Sequence, residues 1–499
     1  MAEMNIKQII DRLNAEFTGD TRKLVFWYDD NGEFVEDMQT VTLDNAKVYF
    51  LQPDNQFATK LFLERQDTTT NYLVYAPFPK PDVRDNHLED TMLYSKRFFA
   101  DRASLLSVDL GIDEKDTPII DKHIKYFDSK ERTQRFYDLE IENFNEENII
   151  TGLLSAICRT RTCSFEEVIR VMLTDSTLED NKFLMEAEKY GLLGDFWKLC
   201  EQHFGYTDMK PTLEKLVVTM FVTYTAKYVP SELPKPWKVF SSYKAGNIIA
   251  FMDNLMNNIL YRNRYDELSA HVAAGLNAQS VFSDYPPEDL VNCDTFAVID
   301  QILIKWLVER LVAEDTGAKL GELTIPQLCE KRSKMHFGAK AESRYQVLSS
   351  AYQMIQAGNY NCPDSFKDIL RQYQETDSGL DYEYRRFYSA YDRIEDTTAF
   401  EPLRDLVENI YTNEYLETLL PKWNSVMQEP DAFTQLPLQR DFYARIVKNA
   451  KERTVVIISD AMRYEVGKEL FRRMQDDPKC SAKLEVQLSV LPSYTRLGM

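Results

Sequence analysis

Thr454-Val455-Val456-Ile457-Ile458-Ser459-Asp460-Ala461-Met462-Arg463-Tyr464-Glu465 is the stretch whose reading decides the fold. Thr454 to Ile458 is a continuous apolar, β-branched run, the pattern of a strand buried on both faces of a parallel sheet. Asp460 stands at its carboxyl end, and in open α/β sheets ligands bind outside the carboxyl ends of the strands. A second run, Lys483 to Leu491, alternates Leu484, Val486, Leu488 and Val490 with Glu485, Gln487 and Ser489, so it has one apolar face to cover. It leads into Pro492-Ser493-Tyr494-Thr495-Arg496-Leu497-Gly498. Two neighbouring strand ends would then offer a carboxylate, Asp460, and a hydroxyl, Thr495, to one cleft.

A threonine hydroxyl is a weak nucleophile and needs a base or a metal to attack. No histidine lies near either motif, so a metal is the expected activator. A carboxylate at a strand end is a suitable ligand for Zn²⁺, Mg²⁺ or Mn²⁺. On these residues alone a plainer reading stands beside this one, in which Asp460 caps the helix that follows.

Val455 to Glu465, together with Leu491 to Met499, closely resembles the PglZ family, alkaline-phosphatase-superfamily proteins of bacterial BREX phage-defence systems. The resemblance extends to Phe387-Tyr388-Ser389-Ala390-Tyr391-Asp392, to Leu403-Arg404-Asp405-Leu406-Val407-Glu408 and to Val25-Phe26-Trp27-Tyr28-Asp29. It implies a metal-ligating Asp after the first core strand and a Ser or Thr nucleophile after a following one. Asp460 and Thr495 match those places, with Thr495 also a metal ligand. It further implies Arg463, Glu465 and Ser493 as phosphate or motif support, and a helix N-terminus that helps to hold phosphate. The implied cofactor is a divalent metal, Zn²⁺ first, with Mn²⁺ or Mg²⁺ as alternatives, as two ions about 4 Å apart.

In that family the remaining Asp and His ligands lie downstream of the nucleophile. The 499 residues are therefore expected to be the N-terminal part of a longer protein, ending just after the nucleophile motif. Alone they should bind metal weakly and lack turnover. The implied function is metal-dependent phosphoester hydrolysis, on phosphodiesters, by the full-length protein in BREX defence. This segment would mainly scaffold the hydrolase and dock partners. Those partners would be other BREX components, such as the small accessory protein, the methyltransferase or the ATPase, with nucleic acid a candidate substrate. The alternative is a non-catalytic interaction scaffold whose hydrolase-like domain is structural.

Composition bounds these readings. With 59 basic and 80 acidic residues the formal charge is 59 − 80 = −21, which opposes nonspecific attraction to DNA. The densest basic cluster, Lys331, Arg332, Lys334 and Lys340, reads as a solvated helix end. The N-terminus lacks the basic-then-apolar form of a signal peptide, and no apolar run approaches the ~20 residues that cross a bilayer. Seven scattered cysteines without a Cys-x-x-Cys pair fit buried thiols in a reducing cytoplasm. The five histidines lie too far apart to suggest a ligand set.

The expected fold class is α/β plus α. Residues 1–110 read as a small parallel α/β domain, 111–445 as helical, and 446–499 as the incomplete beginning of an alkaline-phosphatase-like α/β domain. In the first segment, helices are expected at Ile6–Phe17, Gln56–Glu64 and Leu88–Leu106, and strands at Lys23–Tyr28, Lys47–Leu51 and Asn71–Tyr75. Asp29-Asp30-Asn31-Gly32 reads as turn chemistry, not as a second site. In the middle, Ser164-Phe165-Glu166-Glu167 has capping-box spacing, and Asp294 is the expected N-cap of the helix carrying Ile299, Leu303 and Leu307. Gly358 is expected to close the Tyr345–Ile355 helix. Breaks are expected at Pro230–Pro236, Tyr285–Pro287 and Thr376–Gly379. The aromatic run Tyr382, Tyr384, Phe387, Tyr388 and Tyr391 reads as core and core margin, not as a base-stacking surface.

Overall fold

The computed structural model describes residues 2–175, 177–429, 434, 436–460, 462–490 and 494–498. The chain is mostly helical, with a four-stranded parallel sheet near its start. The strands are β1 (Leu24–Tyr28), β2 (Lys47–Phe50), β3 (Tyr72–Ala76) and β4 (Lys96–Arg97), ordered β2-β3-β1-β4. Val74 faces Phe26 on one side and Tyr49 on the other, which fixes the register. Because β1 and β3 are central, both their faces are covered, and they read in the sequence as unbroken apolar runs. Val25, Trp27, Leu73 and Tyr75 join Ile9 and Leu13 of the Ala2–Glu16 helix, and Phe17 just after it, on one side. Leu24, Phe26, Tyr72 and Val74 join Leu63 and Leu88 on the other.

The long helix expected over Leu88–Leu106 does not form. A short helix, Glu89–Leu93, is followed by β4 and then by the Arg102–Leu110 helix. The open edge of β1 takes the intervening residues, and the Phe98 amide donates to the Phe26 carbonyl at 2.8 Å. Asp101 starts the next helix by accepting from the Ser104 amide at 2.7 Å. The reading of Asp29 as a turn residue agrees with its contacts. Its carboxylate accepts from the Glu33 and Phe34 amides at 3.0 and 2.8 Å and from the Tyr75 hydroxyl.

By contact the chain divides into two compact units, Met1–Thr219 with Ser242–Leu255, and Met220–Ser241 with Met256–Met499. Within the first, Ser164 caps the Phe165–Thr174 helix. The reciprocal half of the capping box is not made, because the Glu167 carboxylate accepts from Thr162 instead, at 2.9 Å. Within the second, three expectations are corrected. Asp294 does not cap the Ala297–Val312 helix; its carboxylate accepts from the His336 and Phe337 amides and so caps the His336–Lys340 helix. The left-handed residue after the Glu342–Gln356 helix is Asn359, at φ 61°, not Gly358. Asn also tolerates that region, so the sequence offered two candidates. Thr376–Gly379 is not a break, since a π-helical turn over Tyr373–Asp377 runs directly into the Ser378–Tyr391 helix.

The basic cluster is dispersed by folding. Arg332 is fully buried against Asp300, whereas Lys331, Lys334 and Lys340 reach Asn292, Glu330 and Asp266. The turn behind Arg332 is tight. A β-carbon on Gly338 would stand 1.8 Å from the Arg332 carbonyl oxygen, which cannot yield without moving backbone. Gly338→Ala is expected to lower stability by about 2–3 kcal/mol or more, read as a lower melting temperature. A melt unchanged from the parent would contradict this packing.

The strand expected over Thr454–Ile458 is not formed. The segment has no regular secondary structure and no strand partner among the described residues, with Val455 74% and Ile457 87% exposed. A strand is made by its partners more than by its own propensity, and no partner for this run exists among the described residues. The second run is likewise no strand. It makes one parallel bridge, Leu488 with Leu438, in which the Leu488 amide donates to the Pro437 carbonyl at 2.8 Å. Leu491 lies outside the described residues. Among the described residues no helix is long and apolar enough to cross a membrane.

Candidate active site

The Tyr464–Gln475 helix organises the C-terminal region. Glu465 in its first turn and Arg472 and Arg473 in its last complement the helix dipole. Arg463 precedes it in extended conformation and is exposed. Glu465 and Lys468, three residues apart, share one helix face, and that face meets the helical body. Glu465 is 3% exposed and ion-paired with Arg385. Lys468 Nζ donates to the Gln374 carbonyl at 2.6 Å, and the Tyr464 ring lies 5.9 Å from Tyr373.

Asp460 lies on the exposed approach to this helix, and Thr495 opens the short Thr495–Gly498 helix. Their side chains meet across 35 residues of chain: Thr495 Oγ1 donates to Asp460 Oδ2 at 3.0 Å, with Oδ1 at 3.2 Å. Asp460 therefore receives a side-chain hydroxyl, and among the described residues the following helix, whose N-cap is Arg463, has no side-chain cap bond. Glu465 is brought to the Arg385 contact and not to this pair. Ser493 lies outside the described residues.

The pair fits a divalent cation in kind, since both groups are hard oxygen donors facing solvent. It falls short in number, because structural and catalytic zinc sites take three or four protein ligands. No group of three or more His, Cys, Asp or Glu side chains gathers at one point among the described residues. His203 and His336 instead pair with Glu147 and Asp266, at 3.0 and 2.6 Å.

The aromatic run is occupied by contacts of its own. The Tyr384 and Tyr388 hydroxyls both donate to Glu408, at 2.8 and 2.7 Å, and Tyr384 stacks on Tyr411 at 3.7 Å. The Tyr388 and Tyr384 hydroxyls hold the Glu408 carboxyl below its usual range, and burial pushes Tyr384 up to about 12. Phe387 is fully buried. One face of the Tyr384 ring is therefore covered by Tyr411. Sequence reading passed over Arg385 and Lys468. The signal available was the i, i+3 spacing of Glu465 and Lys468 beside a second charged helix.

Residues 440–499, which hold both Asp460 and Thr495, match the family described as the BREX system PglZ alkaline phosphatase-like domain. Over 99% of its length the chain is 33% identical to the alkaline phosphatase-like protein PglZ of Bacillus cereus (strain H3081.97). It is 28% identical, again over 99%, to the alkaline phosphatase-like protein BrxZ of Escherichia coli O9:H4 (strain HS). The chain spans 60% of the length of each of these relatives. No solved structure matches it.

Proposed function

This chain is a relative of the PglZ proteins, and from that premise we propose that Asp460 and Thr495 are the metal ligand and the nucleophile of a phosphoester hydrolase in BREX defence. The observation that carries the reading is the Thr495 hydroxyl held on the Asp460 carboxylate. Asp460 orients the hydroxyl and draws its proton away from the oxygen that attacks. The Thr495 oxygen bonds to phosphorus as the bond to the leaving alcohol breaks, and water then releases the phosphoryl group from Thr495. Asp460 would hold a divalent cation, whose chemistry there would be Lewis-acid charge beside the Thr495 hydroxyl. The likeness to the alkaline phosphatase-like family favours Zn²⁺, with Mn²⁺ or Mg²⁺ as alternatives. Arg463, exposed three residues after Asp460, is a candidate contact for the phosphoryl oxygens.

We keep the division into 1–110, 111–445 and 446–499 as a functional one. The helical segment positions the hydrolase region and docks other BREX components, with phosphodiesters, nucleic acid among them, as the substrate class. The two donors counted above also favour a second reading for the 499 residues alone, that of a scaffold without turnover.

The test is hydrolysis of a chromogenic phosphodiester by the full-length protein before chelation, after it, and after reloading with Zn²⁺ or Mn²⁺. Activity should vanish on chelation and return with metal. Asp460→Asn should need at least ~100-fold more metal, beyond the cost of losing one supporting hydrogen bond. Turnover indifferent to chelation would remove the metal from the reading.

A further inference from the structure

Glu465 belongs to the motif that carries Asp460, yet it cannot touch substrate or metal. Its side chain is 2% exposed and is spent on Arg385, 80 residues away on the Ser378–Tyr391 helix. The two partners each keep one further buried atom without a hydrogen bond, Arg385 Nε and Glu465 Oε2. A guanidinium and a carboxylate pair best through two parallel N–H···O bonds. Arg385 Nη2 meets Glu465 Oε1, and the two leftover atoms are the donor and acceptor that a second, parallel bond would need.

One turn further along, Lys468 Nζ donates to the Gln374 and Glu375 carbonyls at 2.6 and 3.2 Å and to Ser378 Oγ at 3.2 Å. These acceptors lie where the π-helical turn passes into the Ser378–Tyr391 helix. A cation there makes charge-assisted bonds to the backbone of that junction. The helix that follows Asp460 is thus fastened at two points on one face. The loop bearing Asp460 has no strand partners to fix it, so this helix is its anchor among the described residues.

Resting on the reading of Asp460 and Thr495 given above, we infer that Arg385 and Glu465 are positioning residues, which lock the Tyr464–Gln475 helix to the helical body and so hold the Asp460 carboxylate at Thr495. Lys468 shares that role. The helical body then acts on the chemistry through this latch, since anything that moves the Ser378–Tyr391 helix moves Asp460.

The experiment takes the full-length protein with Glu465→Gln, Arg385→Gln and Arg385→Lys, and with Arg473→Gln, exposed and off that face of the same helix, as a control. Amide hydrogen exchange and phosphodiester hydrolysis are both measured. Glu465→Gln and Arg385→Gln should speed exchange across residues 464–475 and leave 378–391 unchanged. They should lower kcat by about 10–100-fold with KM altered less than about threefold, the pattern of a misplaced group that does not bind substrate. Arg385→Lys should recover part of kcat, and Arg473→Gln should match the parent. Unchanged exchange, or faster exchange with parental kcat, overturns the latch. Thr495→Ala, run alongside, separates the two failures. If it turns over like the parent, the nucleophile reading is wrong; if it is inactive while Glu465→Gln is fully active, the latch is wrong.

Discussion

Thr495→Ala is expected to cut phosphodiester hydrolysis by the full-length protein by about 10³-fold or more, the scale on which loss of a nucleophile is felt. The same substitution should leave the fold intact. Thr495 is exposed, and its side-chain bonds run to Asp460, itself exposed, so the change in stability should stay within about 0.5 kcal/mol. Metal affinity should fall less in Thr495→Ala than in Asp460→Asn, because the carboxylate remains. Thr495→Ser keeps the hydroxyl and should keep measurable turnover. The checks are initial rates, metal titration and a thermal melt on one set of samples. An inactive variant that also melts early would point to structure instead of chemistry.

The second large effect is on stability and lies far from the motif. Arg332 is fully buried, and its guanidinium meets Asp300 through two bonds, Nε to Oδ1 at 3.0 Å and Nη2 to Oδ2 at 2.6 Å. Its Nη1 donates to the Val291 and Cys293 carbonyls at 3.2 and 2.8 Å, and the Tyr345 hydroxyl donates to Asp300. Removing the cation strands a buried carboxylate and two carbonyls together. Arg332→Met should cost about 3–5 kcal/mol, as breaking one half of a buried pair does. The double variant Arg332→Met with Asp300→Leu should recover much of that loss, since an apolar pair no longer carries unmatched charge. Denaturant midpoints of the single and double variants decide this. A loss under about 1 kcal/mol for Arg332→Met would mean that water or another cation reaches Asp300.

What could be read in advance follows the range of the interactions involved. β1 and β3 are legible because burial on two faces leaves a local mark, Val25-Phe26-Trp27 and Leu73-Val74-Tyr75. β4 is two residues long and is made by the open edge of a strand about seventy residues earlier, so local periodicity suggested helix there instead. Asp294 is a good cap by type, but which helix it caps depends on where residues 336 and 337 arrive. The Thr454–Ile458 run has every local property of a buried strand and still stands exposed, because strands are formed by pairing. Asp460 and Thr495 share a hydrogen bond, but not at the ends of two neighbouring strands, since neither run is a strand among the described residues. The burial of Glu465 was not legible, because its partner lies on another helix 80 residues away.

The most direct test of the account is to quench the metal-loaded full-length protein with acid during a single turnover and to map any phosphoester to a residue by peptide mass spectrometry. The expected result is an ester on Thr495 whose amount follows the burst of released alcohol, and which is missing from Thr495→Ala. An ester on another residue, or parental turnover by Thr495→Ala, would contradict the assignment of Thr495 and Asp460 as the reacting pair.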